Sequence, residues 1–310
     1  MTTLAPAPPP VSDLLDPRAL AAVANMELVA KQVMDGYIQG MHKSPHIGFA
    51  LDFAQHRQYA PGDDIKRIDW RVYAKSDRYY IKQYEVTTNL KAHLIVDASG
   101  SMAYRGQSDP MSKFRYAQFT ATCLAYLILR QQDSVGLATF SNQVNAFIPA
   151  RSASPHLFTL TRTLDATSIG NEGNISTVLH DLAERLGHRQ MVIIISDLFD
   201  STADLLQAFH HLRHKRHEVI LLQILSDDEL TFPFRSFTLF ENLETHRGGA
   251  QKLKLDPASV RNTYLANLNY HLKAIRDEAN ALRISHALFK TTDSLEKSLT
   301  TYLAQRMGSR

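Results

Sequence analysis

The run Met191-Val192-Ile193-Ile194-Ile195 constrains this chain more than any other stretch. It is far shorter than the roughly 20 apolar residues a membrane-spanning helix needs. It is also too uniformly apolar for a strand with one wet face, which would alternate. A β-branched run of this length, bounded by polar residues, reads as a strand buried on both faces, as in a sheet covered by helices on either side.

The surrounding pattern supplies the rest of such a sheet. LKAHLIVD (90–97), DSVGLATFS (133–141), HEVILLQIL (217–225) and RISHALFK (283–290) read as further strands, and QVNAFIPA as a neighbour of the second. Between them lie amphipathic helical stretches at 108–130, 155–166, 176–187 and 202–216, then a long one from Asp256 and Pro257 through Ala281, and a closing one at 294–307. Ser108 or Asp109 is the expected cap of the first, with Pro110 in its first turn. Alternating strands and helices with polar loops after the strands predict an α/β fold, a doubly wound and mostly parallel sheet with helices on both faces.

The amino-terminal third has a different texture. Residues 1–17 form a proline-rich, stiff tail without a basic start or apolar core region, so not a signal peptide. The stretch 18–40 predicts a helix with Leu20, Val23, Leu28, Val33 and Met34 near one apolar stripe, ended by Gly36 or Gly40. From there to residue 89 the chain is charged and aromatic, with a turn at 61–64 and a half-exposed strand near 79–86. The expected organisation is therefore the tail 1–17, a helix and charged β elaboration over 18–89, and an α/β domain over 90–310.

Composition narrows the function classes. Lys plus Arg number 34 against 31 Asp plus Glu, a formal charge of +3, which gives no general attraction to nucleic acid. The single cysteine, Cys123, lies in an apolar helical run and reads as a small buried hydrophobe, so neither a disulfide nor a thiolate cluster is available. A cytoplasmic location without membrane insertion is expected.

The chemistry concentrates in Asp97-Ala98-Ser99-Gly100-Ser101-Met102. The loop follows a strand, at the end of the sheet where open α/β folds bind ligands. A carboxylate and two hydroxyls at alternate residues of a tight turn converge on a hard cation, and Mg²⁺ prefers oxygen ligands while keeping several waters. Asp197 follows the strand 191–196 in the equivalent position. The alternative is a loop that only hydrogen-bonds itself.

DASGSM resembles the D-x-S-x-S metal-ion-dependent adhesion site (MIDAS) of von Willebrand factor A-type domains, and ISDLFD resembles their later strand-plus-Asp element. The preceding segment is similar to the signature of the DUF58 family: Gly40-x-His42-x-Ser44, then Arg57-x-Tyr59-x-x-Gly62-Asp63-Asp64-Ile65-Lys66-Arg67-Ile68-Asp69-Trp70, then Ala74-Lys75 and Lys82-x-x-Glu85. The resemblance implies a Rossmann-like A-type domain and a site for Mg²⁺, Mn²⁺ or Ca²⁺ formed by Asp97, Ser99, Ser101 and Asp197. It implies that a partner's carboxylate completes the ion's shell, and that the partner is a MoxR-type AAA+ ATPase or its client. The threonine that such sites take from a later loop is missing: Gly173 stands there, with Asn174, Glu172 and Thr177 as substitutes.

Arg57, Tyr59, Asp63, Asp64, Arg67, Asp69 and Trp70 form either an internal network or a partner-docking surface. Acids beside bases argue against phosphate binding there. His210, His211, His214 and His217 cluster without the spacing or cysteines of a zinc motif, and read as a solvated helix end. No P-loop, dinucleotide fingerprint or catalytic triad is present, so the expected function is non-catalytic protein–protein interaction. Metal-dependent phosphate-ester hydrolysis and a metal-free scaffold are the alternatives.

Overall fold

A computed structural model describes residues 26–41, 55–58, 79–83, 90–170, 173–235, 238–241 and 252–308. In chain order the elements are α1 (Met26–Met41), β1 (Gln55–Gln58), β2 (Tyr80–Gln83), β3 (Lys91–Asp97), α2 (Lys113–Arg130), β4 (Ser134–Phe140), β5 (Val144–Arg151), α3 (His156–Ala166), α4 (Ile175–Arg185), β6 (Met191–Ser196), α5 (Thr202–His214), β7 (Glu218–Leu225), α6 (Asp227–Thr231), β8 (Thr238–Glu241), β9 (Lys252–Leu255), α7 (Pro257–Ala281), β10 (Ser285–Lys290) and α8 (Leu295–Gly308). Residues 1–41 and 90–310 cluster as one compact unit and 42–89 as another.

The large unit is built on a sheet ordered β10-β7-β6-β3-β4-β5. Its pairs are parallel except β4–β5, where a short connection forces an antiparallel hairpin. This is the expected fold class, an α/β sheet of the von Willebrand factor A, Rossmann-like type. The run that suggested it, β6, lies between β3 and β7 and is buried throughout. Its side chains divide by the strand period of two: Met191, Ile193 and Ile195 enter one core, Val192 and Ile194 the other. The first core packs α1, α2, α3 and α8 against the sheet, and the second packs α4, α5 and part of α7.

Three local expectations change. Helix α1 buries Met26, Val29, Ala30, Val33 and Met34 at helical spacing, whereas Leu28 falls off that stripe and is 49% exposed. Neither Gly36 nor Gly40 ends it; it continues to Met41. Helix α2 starts later than its sequence suggests: Ser112 is the N-cap, accepting from Arg115 N, while Asp109 accepts from Gly106 N at 2.8 Å in the preceding loop. Pro110 lies in that loop as well, before the first turn. Leu20 and Val23 lie outside the described residues.

The smaller unit is described only as the antiparallel pair β1–β2, from Gln55↔Gln83 to Gln58↔Tyr80. The expected strand near 79–86 is therefore present as Tyr80–Gln83.

Candidate functional site

Strands β3 and β6 are hydrogen-bonded neighbours, so the loops that leave their carboxyl ends emerge side by side. The first loop makes a short 3-10 turn, Gly100–Ala103, held by Met102 N donating to Ser99 O and Tyr104 N to Ser101 O. That turn brings the Ser99 and Ser101 hydroxyl oxygens to 3.1 Å from each other. Asp97 is buried beneath them: Oδ1 accepts from Ser99 N at 2.8 Å, and Oδ2 accepts from Ser196 Oγ at 2.5 Å. Ser196 Oγ in turn accepts from Leu198 N at 2.9 Å, so one hydroxyl ties both loops together.

Asp197 takes a different kind of partner. Its Oδ2 lies 2.8 Å from Lys113 Nζ, and that ammonium also lies 2.6 Å from Glu229 Oε1. Lys113 is fully buried at the first residue of α2, where the helix dipole disfavours a positive charge. The Phe199 ring approaches its Nζ with the centroid at 4.9 Å. Glu229 is itself fixed by the capping box of α6, accepting from Ser226 N at 2.8 Å. One lysine thus joins the loop after β6, the short helix α6 after β7 and the start of α2.

The charge balance of the cluster is uneven. Burial alone would lower the Lys113 pKa, but Asp197 and Glu229 overcome that and hold it above its ordinary value. Burial raises Glu229, with the nearby Asp197 charge adding to the effect and Lys113 opposing it. Burial first, and then the Asp197 charge, push Asp97 up to about 7, against the hydrogen bonds from Ser196 and Ser99. Among the described residues no ammonium or guanidinium pairs with Asp97. Lys113 thus pairs with Asp197 and Glu229, while Asp97 sits beside two convergent hydroxyls without a cationic partner among the described residues.

A hard divalent cation fits that donor set, a carboxylate without a cationic partner and two hydroxyls as oxygen ligands. Among the described residues no group of three His, Cys, Asp or Glu side chains is arranged to hold a metal, so any site here depends on the serines.

The family described as "Protein of unknown function DUF58" matches residues 55–274, most of the chain. The chain belongs to the DUF58 family. Among curated relatives, the uncharacterized proteins Rv1480 of Mycobacterium tuberculosis (strain H37Rv) and Mb1516 of Mycobacterium bovis are each 27% identical over 249 residues. The alignment covers 79% of this chain and 77% of each relative. Solved structures with similarity include the conserved hypothetical protein BatB of Bacteroides thetaiotaomicron, at 16% identity and a TM-score of 0.47, covering 71% of this chain and 99% of that one. An aerotolerance-related membrane protein of Bacteroides fragilis gives 16% identity and a TM-score of 0.46, with coverages of 70% and 99%. No helix among the described residues is long and apolar enough to cross a membrane.

The remaining site candidates of this DUF58 chain fall in different places. Asn174 is the N-cap of α4, its side-chain oxygen accepting from Thr177 N at 3.0 Å. Thr177 is exposed on the first turn of that helix, and Glu172 lies outside the described residues. Gly170 brings the segment before α4 against the oxygen-rich loop, its N donating to Ala98 O at 2.8 Å. A Cβ at Gly170 would stand 2.6 Å from Ser141 Cβ, so only glycine permits this approach without displacement. Arg57 lies in β1, and Tyr59, Asp63, Asp64, Arg67, Asp69 and Trp70 lie outside the described residues.

Two open grooves lie on segments linked to these loops, one through Gly170, which bonds Ala98, and one through Phe199 and Asp200, which follow Asp197. One, of about 500 Å³, is lined by Thr139, Ser141, Asn145, Arg162, Thr167 and Gly170. The other, of about 490 Å³, is more apolar and is lined by Phe199, Asp200, Tyr264, Asn267, Leu268 and His271. His271 stitches α7 to its wall, with Nε2 2.9 Å from Leu198 O and Nδ1 2.9 Å from Thr202 Oγ1. A neutral ring protonated at Nε2 satisfies both contacts.

Sequence reasoning overlooked Lys113, Ser196 and Glu229. Sequence carried no clear signal for Lys113, because its place at the first residue of α2 follows from the Ser112 cap that the structure reveals. The histidine cluster also divides. His210 pairs with Glu278 at 2.7 Å, and His211 Nε2 lies 2.8 Å from Glu184 while its Nδ1 meets His180 Nδ1 at 2.8 Å. His217 is fully buried rather than solvated: it lies past the helix end, immediately before β7, where its N donates to Leu212 O and its Nδ1 accepts from Gln190 N.

Proposed function

We propose that this DUF58 chain is a protein-interaction module that docks its partner at the carboxyl end of β3 and β6. Asp97, Ser99 and Ser101, with Asp197, would hold a divalent cation, Mg²⁺ or else Mn²⁺ or Ca²⁺. The ion would supply a Lewis-acidic position for an Asp or Glu carboxylate of the partner. The observation that carries this reading is the convergence of the Ser99 and Ser101 hydroxyls above the buried Asp97 carboxylate, which has no cationic partner among the described residues. The polar groove suits partner backbone and hydroxyl groups, and the Phe199–Leu268 groove suits an apolar side chain next to the bound carboxylate.

The proposed partner is a AAA+ ATPase of the MoxR type or a client of that ATPase, on the strength of the family resemblance. The role assigned to the chain is that of an adaptor, without a chemical step of its own. Calorimetric titration with Mg²⁺ and Mn²⁺ tests the ion on wild type and Asp97→Ala: wild type binds and the variant does not. No heat in either protein removes the cation from the proposal. Pull-down of a MoxR-type ATPase, with and without EDTA, tests the docking surface. Capture by wild type that Asp97→Ala leaves unchanged would show that docking lies elsewhere on the chain.

A further inference from the structure

The position of Lys113 bears on how a cation enters this site. Burying an ammonium completely is expensive unless it is paired and hydrogen-bonded, and here both conditions are met by carboxylates alone. One of those carboxylates, Asp197, is also a proposed ion ligand. Its Oδ2 is engaged by Lys113 at 2.8 Å, and its Oδ1 accepts from Phe199 N at 3.2 Å. Asp97, by contrast, is held by the Ser196 and Ser99 side chains and the Ser99 backbone N–H, with no ammonium or guanidinium paired to it among the described residues. The two carboxylates that sequence treats alike are therefore unequal: one is available to a cation, and the other already has one.

We propose that Lys113 is a built-in competitor of the divalent cation, an internal ammonium that holds Asp197 in an ion pair and keeps the ion's affinity low. The proposal rests on the cation reading above and adds the residue that sets its strength. An ion entering beside Asp97, Ser99 and Ser101 must share Asp197 with a positive charge that cannot leave, since the lysine is enclosed by Asp197, Glu229 and the Phe199 ring. Weak binding of the ion alone makes a partner's carboxylate count for more. By linkage, whatever the partner adds to ion affinity the ion returns to partner affinity.

The test is direct metal binding, read by Mn²⁺ paramagnetic resonance or calorimetry on the full chain. Lys113→Met is expected to bind Mn²⁺ at least about tenfold more tightly than wild type, the low end for removing a unit charge a few ångströms from a divalent ion. Lys113→Met strands two buried carboxylates and risks unfolding, so Lys113→Met/Glu229→Gln is made beside it. The double variant removes one positive and one negative charge, leaving the cluster's net charge as it was. It is also expected to bind more tightly, because competition for Asp197 is lost while net charge is not. Circular dichroism establishes that each variant is folded.

If a folded variant binds Mn²⁺ no more tightly than wild type, Lys113 is not a competitor and the proposal is overturned. If the variants bind and wild type does not, the competitor role stands while the cation reading for the natural protein fails. If no protein binds the ion, both fall. Tightening in the single variant alone would assign the effect to net charge and would overturn the competition argument.

Discussion

Lowering the pH should unfold this protein partly through His93. The residue sits inside β3, opposite Gly136 of β4 and Val192 of β6, and is 5% exposed. A Cβ at Gly136 would lie 2.7 Å from His93 Cδ2, so the imidazole occupies the space that glycine leaves. Its Nδ1 has no hydrogen-bond partner among the described residues, and its ring stacks on Phe147 with centroids 5.9 Å apart. Burial, then the charges of His217 and Lys91, lower its pKa to about 4, with Gln190 opposing. The unfolded chain takes up this proton near the ordinary value of 6.5, whereas the folded chain resists it until about 4. Stability is therefore complete above about pH 6.5 and is lost as pH falls through the interval down to about 4. A displacement of that size corresponds to about 3 kcal/mol for this one group. His286, lowered to about 4 by burial and then Arg276, and His217, lowered by burial first, act in the same direction. They are common to wild type and a His93 variant, so they largely cancel in the difference. Urea denaturation followed by far-ultraviolet circular dichroism at pH 7, 6, 5 and 4 is the assay, applied to wild type and His93→Leu. The variant should lose about 3 kcal/mol less than wild type between pH 7 and pH 4. Parallel profiles for the two proteins would refute the assignment of the acid limb to His93.

Gly136→Ala should destabilise by about 1–3 kcal/mol, since its Cβ would also meet Ile148 O at 2.7 Å, and carbonyl backbone cannot yield as a side chain can. Equal denaturation midpoints for Gly136→Ala and wild type would show that the sheet relaxes freely there. Cys123 is fully buried, and burial raises its thiol pKa well above the ordinary range, so a thiol reagent should label it only on unfolding. Rapid labelling of the native protein would contradict its placement in the core.

The difference between what sequence displays and what it conceals is clear in single residues. The central strand was legible because Met191 to Ile195 are all apolar, and a run buried on both faces needs no partner to be named. Asp97, Ser99 and Ser101 were legible because a tight turn brings near neighbours in sequence together whatever the rest of the chain does. The start of α2 was not legible: Ser108, Asp109 and Ser112 are all competent caps, and the choice fell to Ser112 because Asp109 is held by Gly106 N. Leu28 has the composition of a core residue and the wrong helical phase for this packing.

By itself, the sequence determined the layered α/β class, the parallel central strands and the oxygen-bearing turn, because each follows from local periodicity or from residues a few positions apart. Only the tertiary structure decided that Lys113 lies between Asp197 and Glu229, that Ser196 holds Asp97, and that of these two aspartates Asp197 is the one paired with an ammonium. The physical reason is range. Residues separated by 84 and 116 positions meet only after the sheet has ordered its strands and the helices have turned back over it. Electrostatic character in a buried cluster belongs to that meeting and to none of its members alone.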